Sequence, residues 1–475
     1  MWIALLCLQR LDVPAQTRSP KAPGTEDGLI REALADYQAD RIDAAIGKLR
    51  QAHTTQPDNP YARLYLGLLL YQKAAKSLEA QEMMESVLDR FPTNPDLVLR
   101  LMDSYLATNR ESKIPSLLER SKTARASNHR LALNIVYALV RYAQVEQARV
   151  VLDGCSTVLQ APREKADAAG KNAAGPVPSR ELGEVFFLRG LIAATTGQKE
   201  EAMRQFQTAD REDFPPRDSP QMKMLAEALF RFEEYALSAQ AYHVYLSHFP
   251  DDLDARLQLA ICYFSFASFK RAQEQFQQVY AKAPELPQVN YYMGRVFLET
   301  KRHDEARRCF EAELKLNPAS YPAMAELAYL DYAQGDIEKC RQWLEKSAAL
   351  SPDYPEMHFV YGLLYNRLGK YDRAIDSLEK VVRSDPRHIT AQFQLSIAYR
   401  RIGNEAEAKE HADIYNRLLE DHKARTLASI STVPERTNAA SFWGDQANSM
   451  TSFLFPNHGI GVGVSASPEA TRYGL

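Results

Sequence analysis

Residues 284–318 read PELPQVNYYMGRVFLETKRHDEARRCFEAELKLNP, and the fold is decided there. One proline opens the stretch at Pro284 and another closes it at Pro318, 34 residues on, and the same interval returns at Pro250, Pro352 and Pro386. Proline lacks an N–H and its ring collides with the preceding helical turn, so a proline at a fixed interval marks the edge of a repeated unit. Inside the unit, Asn290, Met293, Gly294 and Phe297 fall at i, i+3, i+4 and i+7, which places them on one face of a helix, and a second stripe follows at Ala306 and Phe310. Each unit therefore predicts a pair of helices joined by a turn.

The flanking units repeat the pattern. Arg256, Leu259, Ala260, Tyr263, Ala272 and Phe276 precede it; Met324, Leu327, Ala328, Asp331, Cys340 and Leu344 follow, and then His358, Tyr361, Gly362, Tyr365, Ala374 and Leu378. Small residues at Ala260, Gly294, Ala328 and Gly362 on the first helix, and at Ala272, Ala306, Cys340 and Ala374 on the second, mark where two antiparallel helices cross closely; a bulky side chain there would push them apart. Gly335 and Gly369 supply turns between the two helices. Toward the N-terminus the signature thins. Gly190, Gly197, Ala202, Phe206 and Ala209 make one unit ending at Phe214-Pro215, and Ala226, Tyr235 and Tyr242 lead a poorer one to Pro250. Ala33 to Pro57 and Gly67 to Pro92 read as two more, while 97–160 keeps helical periodicity with the signature eroded.

This spacing, W-x2-L-G-x2-Y, then A-x3-F, then P, with conservative replacements, resembles the tetratricopeptide repeat over about Glu26 to Asp421, in about eleven units of which the third and fourth are eroded. The resemblance implies an all-α fold, a right-handed α-solenoid of stacked helix-turn-helix hairpins, working as a protein-interaction scaffold.

Composition agrees with a folded helical chain. The 475 residues carry Lys+Arg 58 against Asp+Glu 61, a net charge of −3, which argues against non-specific phosphate binding and so against nucleic acid as a partner. No apolar run reaches the roughly 18 residues of a membrane span, and mean hydropathy is −0.40. The length exceeds one hydrophobic core. We expect an N-terminal segment at 1–24, a repeat block at 25–160, a flexible Ala/Gly/Pro linker at 161–180, a second block at 181–426 and a low-complexity tail at 427–475. In the tail, Phe442-Trp443 and Phe453-Leu454-Phe455 are apolar islands suited to docking on the solenoid or on a partner, or incidental in a solvated tail. At the other end, Trp2 to Leu8 followed by Val13-Pro14-Ala15 fits a signal peptide, against which stand the absence of a preceding Lys or Arg and the intrusion of Gln9, Arg10 and Asp12. Export to the periplasm and a cytoplasmic location both stay open.

Motifs of chemistry are missing. Cys7, Cys155, Cys262, Cys309 and Cys340 form no CxxC and read as small hydrophobes. GVGVSA at 461–466 matches GxGxxG/A with no βαβ unit around it and no acidic partner downstream, a chance match. His243 and His248 point to different helix faces, and His411 and His422, on one face, are about 16 Å apart along it. His303-Asp304-Glu305 opens a second helix, where acidic side chains suit the helix dipole. We therefore expect no catalytic, cofactor-binding or metal-ligating residues, and no enzyme activity.

Function is expected on the inner face of the solenoid, where first helices stack with a small rotation and leave a concave groove. One step off the core stripe lie Leu257, Ile261 and Phe264; Tyr291, Arg295 and Leu298; Ala325, Tyr329 and Tyr332; Phe359, Leu363 and Asn366; Phe393, Ile397 and Arg400. Tyr and Arg in such a row are what binding surfaces favour, and a peptide or protein segment is the expected partner; these side chains equally serve to fill gaps between repeats. Tetratricopeptide proteins that capture chaperone C-terminal carboxylates carry a Lys/Asn clamp on these helices. Tyr291 with Arg295 and Phe359 with Leu363 stand there instead, so the resemblance does not extend to that ligand. Two further roles are compatible with the same surface: a regulatory subunit of a separate enzyme, and an exported component of envelope assembly or secretion. Self-association through the solenoid is compatible with it as well.

Overall fold

Helix after helix begins on a residue able to hold the free N–H groups of a first turn. Asn59 accepts from the N–H groups of Tyr61 and Ala62, Asn94 from Leu97, Asn128 from Leu131, Asp252 from Ala255 and Asp336 from Lys339. Pro60, Pro95 and Pro355 open their helices where a missing N–H costs nothing. A computed structural model describes residues 27–154, 180–286 and 288–431. The N-terminal apolar run, the 161–179 stretch, Cys7, Cys155, the aromatic islands of the tail and the 461–466 match lie outside the described residues.

The helices are α1 Asp27–Gln38, α2 Ile42–Thr55, α3 Pro60–Lys73, α4 Leu78–Val87, α5 Pro95–Ala107, α6 Ile114–Arg120, α7 Lys122–Ser127, α8 His129–Arg141 and α9 over 145–154. Then come α10 Arg180–Thr195, α11 Lys199–Arg211, α12 Gln221–Arg231, α13 Tyr235–His248, α14 Leu253–Ser265, α15 Phe269–Lys282, α16 Val289–Glu299 and α17 His303–Leu316. The chain of helices ends with α18 Tyr321–Gln334, α19 Ile337–Leu350, α20 Pro355–Arg367, α21 Tyr371–Ser384, α22 Ile389–Arg401 and α23 Glu405–Ser431. No strand occurs among the described residues, and consecutive helices pack as antiparallel hairpins. The third hairpin is the irregular one. Its second arm is broken into a 3-10 turn, Glu111–Lys113, and the short α6 and α7, where the repeat signature is eroded.

The chain divides into two compact units, one ending at Pro215 and the other starting at Pro216. Hairpin α10–α11 belongs to the first unit, beyond the composition shift at 161–180. Its helix α10 packs on α8, and Arg130 reaches across to the buried Glu184 at 2.7 Å.

Why each hairpin turns where it does is visible in the backbone. Ala267, Lys301, Gly335, Gly369 and Gly403 recur every 34 residues with φ between 61° and 86°, and the next residue's N–H bonds back to the carbonyl five residues earlier, as in Ser268 to Tyr263 at 2.8 Å and Asp336 to Asp331 at 2.9 Å. That left-handed residue satisfies the last helical carbonyls and reverses the chain. Three of the five are glycine, as the conformation favours, and Ala267 and Lys301 adopt it against the clash of their own Cβ.

The two helices of a unit cross at the small residues. A Cβ placed on Gly362 would lie 2.4 Å from Leu378 Cγ, and one on Gly294 would lie 2.6 Å from Phe310 Cε1. Gly190 stands in the same way over Phe206, and Ala202, Ala260, Ala272, Ala306, Ala328 and Ala374 are all fully buried. At the far end, Lys409, Glu410, Asp413 and Arg417 on α23 are exposed while Ala408 and Leu418 are buried, so this helix closes the stack with a charged outer side.

Relief of the left-handed strain is measurable. Ala267→Gly should raise unfolding stability by about 0.5–1 kcal/mol, and Gly335→Ala should lower it by about 1 kcal/mol, read from urea midpoints at unchanged slope.

Candidate functional site

In the second unit, first helices of neighbouring hairpins pack on one another more closely than second helices do: α14 meets α16, α18 meets α20 and α20 meets α22. First helices therefore form the inner layer. The row predicted to line it divides by exposure. Phe359 is 1% exposed, Phe264 5%, Arg295 7% and Tyr329 8%, so these four are built into the stack. Tyr291, Tyr332, Asn366 and Phe393 are half-buried, and Arg400 is exposed. Phe359 lies against the His388 ring at 4.7 Å, Phe393 against Tyr415 at 5.1 Å, and Asn366 donates through Nδ2 to the Gln394 backbone oxygen at 3.1 Å. Arg367 lies over the Tyr332 ring, 5.5 Å from its centre, and donates to the Tyr332 carbonyl oxygen at 3.0 Å.

The middle of this layer is organised around Arg295. Its guanidinium faces the Phe264 ring at 5.3 Å, donates through Nη1 to the Tyr291 hydroxyl at 3.2 Å, and has Nε 3.4 Å from Glu326 Oε1, an ion pair in which both side chains are more than nine-tenths buried. Burial opposes the charge on Arg295, and the neighbouring Tyr291, Glu326 and Glu299 more than offset it, so the side chain stays cationic. Burial also pushes the Tyr291 hydroxyl up to about 12, against the pull of Arg295, and the Tyr354 hydroxyl still higher. Tyr354, in the loop before α20, and Glu356, in its first turn, act on Tyr291 from two repeats away. Both phenols are hydrogen-bonding groups here, not bases.

Glu299, Glu326, Tyr354 and Glu356 were not in the sequence-derived row. Glu326 neighbours a lining position, and Tyr354 lies in a loop; a periodicity that marks only the core stripe does not single them out. The same register continued one repeat earlier reaches Lys223, Glu227 and Phe230. Lys223 is buried with Nζ 3.1 Å from Asp252 and 2.9 Å from Asp254, and Tyr245 donates to Asp252 Oδ2 at 2.9 Å. Asp252 also caps α14, so this cluster joins two hairpins and is structural in geometry. Burial raises the carboxyl of Glu227 beside it.

One buried carboxylate replaces a cap. Gln288 precedes α16 in a left-handed conformation and makes no side-chain cap bond, and Glu313 on α17, 3% exposed, accepts the backbone N–H of Tyr291 instead. Burial raises the Glu313 carboxyl above the usual range and that hydrogen bond only partly offsets it.

Among the described residues no three or more His, Cys, Asp and Glu side chains gather to hold a metal ion, and no helix is long and apolar enough to cross a membrane. Cys262 and Cys340 are buried, Cys309 is half-buried, and none is in a disulfide. His243 and His248 are exposed, and His411 Nδ1 contacts Gln392 Oε1 at 2.6 Å.

Stacked hairpins with a glycine or alanine crossing and an inner layer of first helices define an α-helical repeat protein of the interaction-scaffold class. Models of the tetratricopeptide repeat match residues 355–388, and also 30–95, 266–321 and 291–355. The chain is a tetratricopeptide repeat protein. Among curated relatives it is similar to BBSome complex member BBS4 of Bos taurus, 22% identical over 205 residues, which is 43% of this chain and 32% of that protein. It is similar to N-alpha-acetyltransferase 16, NatA auxiliary subunit, of Homo sapiens, 26% identical over 149 residues, covering 28% of this chain and 17% of that one. These matches thus span a third or less of the relatives' length. A solved tetratricopeptide repeat protein from Parabacteroides merdae aligns over 50% of this chain and 97% of its own, at 17% identity and a TM-score of 0.42.

Two stability experiments follow from this geometry. Arg295→Leu, which strands Glu326, should cost about 3–5 kcal/mol, and Arg295→Leu with Glu326→Leu should cost clearly less, both measured by urea unfolding. Because the folded-state pKa of Glu313 is raised, its carboxyl favours the fold when protonated and loses that contribution as pH rises through the folded value; Glu313→Gln should therefore gain stability over the parent progressively from about pH 4 to pH 7.

Proposed function

We propose that the second unit binds a segment of a partner protein along its inner layer, from about Leu257 to Arg401. The observation that carries this reading is the set of half-buried Tyr291, Tyr332, Tyr354 and Phe393 on one layer, beside the exposed Arg400. Side chains of this kind bury a large area at modest entropic cost, and Tyr and Arg add hydrogen bonds that fix register. The buried Phe264, Tyr329 and Phe359 support that surface from beneath and do not meet the guest directly. Curated relatives named as a complex member and an auxiliary subunit are in keeping with a scaffold role. The second of these names favours one narrower alternative, an auxiliary subunit presenting substrate to a separate catalytic chain.

The test is capture from native lysate with the full chain and with a Tyr332→Ala/Phe393→Ala/Arg400→Ala variant, after circular dichroism establishes that both are folded. A specific partner should bind the parent and lose at least tenfold in affinity to the variant, measured by calorimetry on the purified pair. Retention of every partner by the variant would move the function off this face. Recovery of an enzyme whose turnover changes on binding would select the auxiliary-subunit reading.

A further inference from the structure

The centre of the inner layer carries more negative than positive charge. The charges acting most strongly on Tyr291, Tyr354 and Arg295 come from three carboxylates, Glu299, Glu326 and Glu356, and from one cation, Arg295 itself. They belong to three successive repeats, through α16, α18 and the first turn of α20. Arg295 balances one of them, Glu326, at 3.4 Å. In so recessed a place charge is screened less than at an open surface, and a guest that restores neutrality gains most there.

A second observation concerns hydrogen bonding. Arg295 is 7% exposed, and its Nε–H, although beside Glu326, makes no hydrogen bond. A buried guanidinium donor left in this way carries a cost that an acceptor on a guest would remove. A peptide chain has such acceptors in its backbone carbonyls.

Resting on the groove reading above, we infer that this centre is a subsite for a lysine or arginine side chain of a partner segment, with its cation among Glu299, Glu326 and Glu356 and a neighbouring backbone carbonyl taken by Arg295. Tyr291 and Tyr354 flank the same place, and aromatic rings accept the face of a cation as well as the stem of a long side chain. An acidic guest would meet the excess carboxylates and be repelled. Arg295 stays in this scheme as the group that keeps Glu326 ionised in the stack.

The test uses the full chain and a phage library of random dodecapeptides, selected in parallel on the parent, on Glu299→Gln/Glu356→Gln and on Tyr332→Ala/Phe393→Ala. A convex-side control, Glu311→Gln, on the exposed side of α17, should behave as the parent. Peptides enriched on the parent should share a Lys or Arg position, and a labelled member should lose about tenfold in affinity, by fluorescence anisotropy, both on replacement of that residue by Gln and against the double Gln variant. Binding of the basic peptide should weaken steeply as salt is raised. Enriched peptides without a shared cation, or with affinity unchanged by the double Gln variant, overturn the inference. If such peptides still depend on Tyr332 and Phe393, the groove reading survives without it. No enrichment on the parent overturns both.

Discussion

Two antiparallel helices in each unit cross at a point where neither can carry a bulky side chain, and the repeat depends on that crossing. Where the first helix presents Gly294 or Gly362, a large ring or branched chain from the second, Phe310 or Leu378, occupies the space directly above it. A methyl group at the glycine would overlap those atoms, so the interhelical distance and the position of the second helix are set by a missing Cβ. Once the hairpin has that geometry its two faces are determined. One side offers Ala306, Cys340 and Ala374 to the interior, and the first helices stand together as an inner layer. Each hairpin buries its stripe only against its neighbours, which is why the array, not the unit, is the stable object.

The inner layer shows how a repeat scaffold acquires individuality. At the lining positions the side chains change from repeat to repeat, from Lys223 and Glu227 through Leu257 and Ile261 to Tyr291 and Arg295, while the crossing residues scarcely vary. Backbone geometry thus repeats and surface chemistry does not. Charged groups here are held by neighbouring hairpins: Lys223 by Asp252 and Asp254, Arg295 by Glu326, Arg307 by Asp331 at 2.7 Å. A buried ion pair of this sort contributes little net stability against an apolar replacement, but it penalises any other register of stacking, since sliding one hairpin would leave a charge uncompensated.

Much of the fold was legible in the chain. Prolines every 34 residues bounded the units, and the small residues located the crossings before any coordinates were considered. The turns were legible only in part. Gly335 and Gly369 announce a left-handed residue, whereas Ala267 and Lys301 adopt the same φ with no compositional sign, because the surrounding helices impose it. At the candidate site the row of lining positions followed from helical period, yet period could not say which members face a guest. Phe264, Tyr329 and Phe359 are covered by the adjacent hairpin, and Tyr332 and Phe393 are not.

What the sequence determined by itself is the local and periodic part: helix hairpins, their boundaries, the close crossings and the layer where function is expected, all of which depend on residues within one 34-residue unit. Tertiary structure decided what lies between units. It brought Tyr354 and Glu356 to Tyr291 across two repeats, paired Arg295 with Glu326, gave Glu313 the task of capping α16, and placed α10 and α11 with the N-terminal unit. Those relations depend on how much each hairpin rotates on the last, a quantity summed over many side-chain contacts and carried by no single motif.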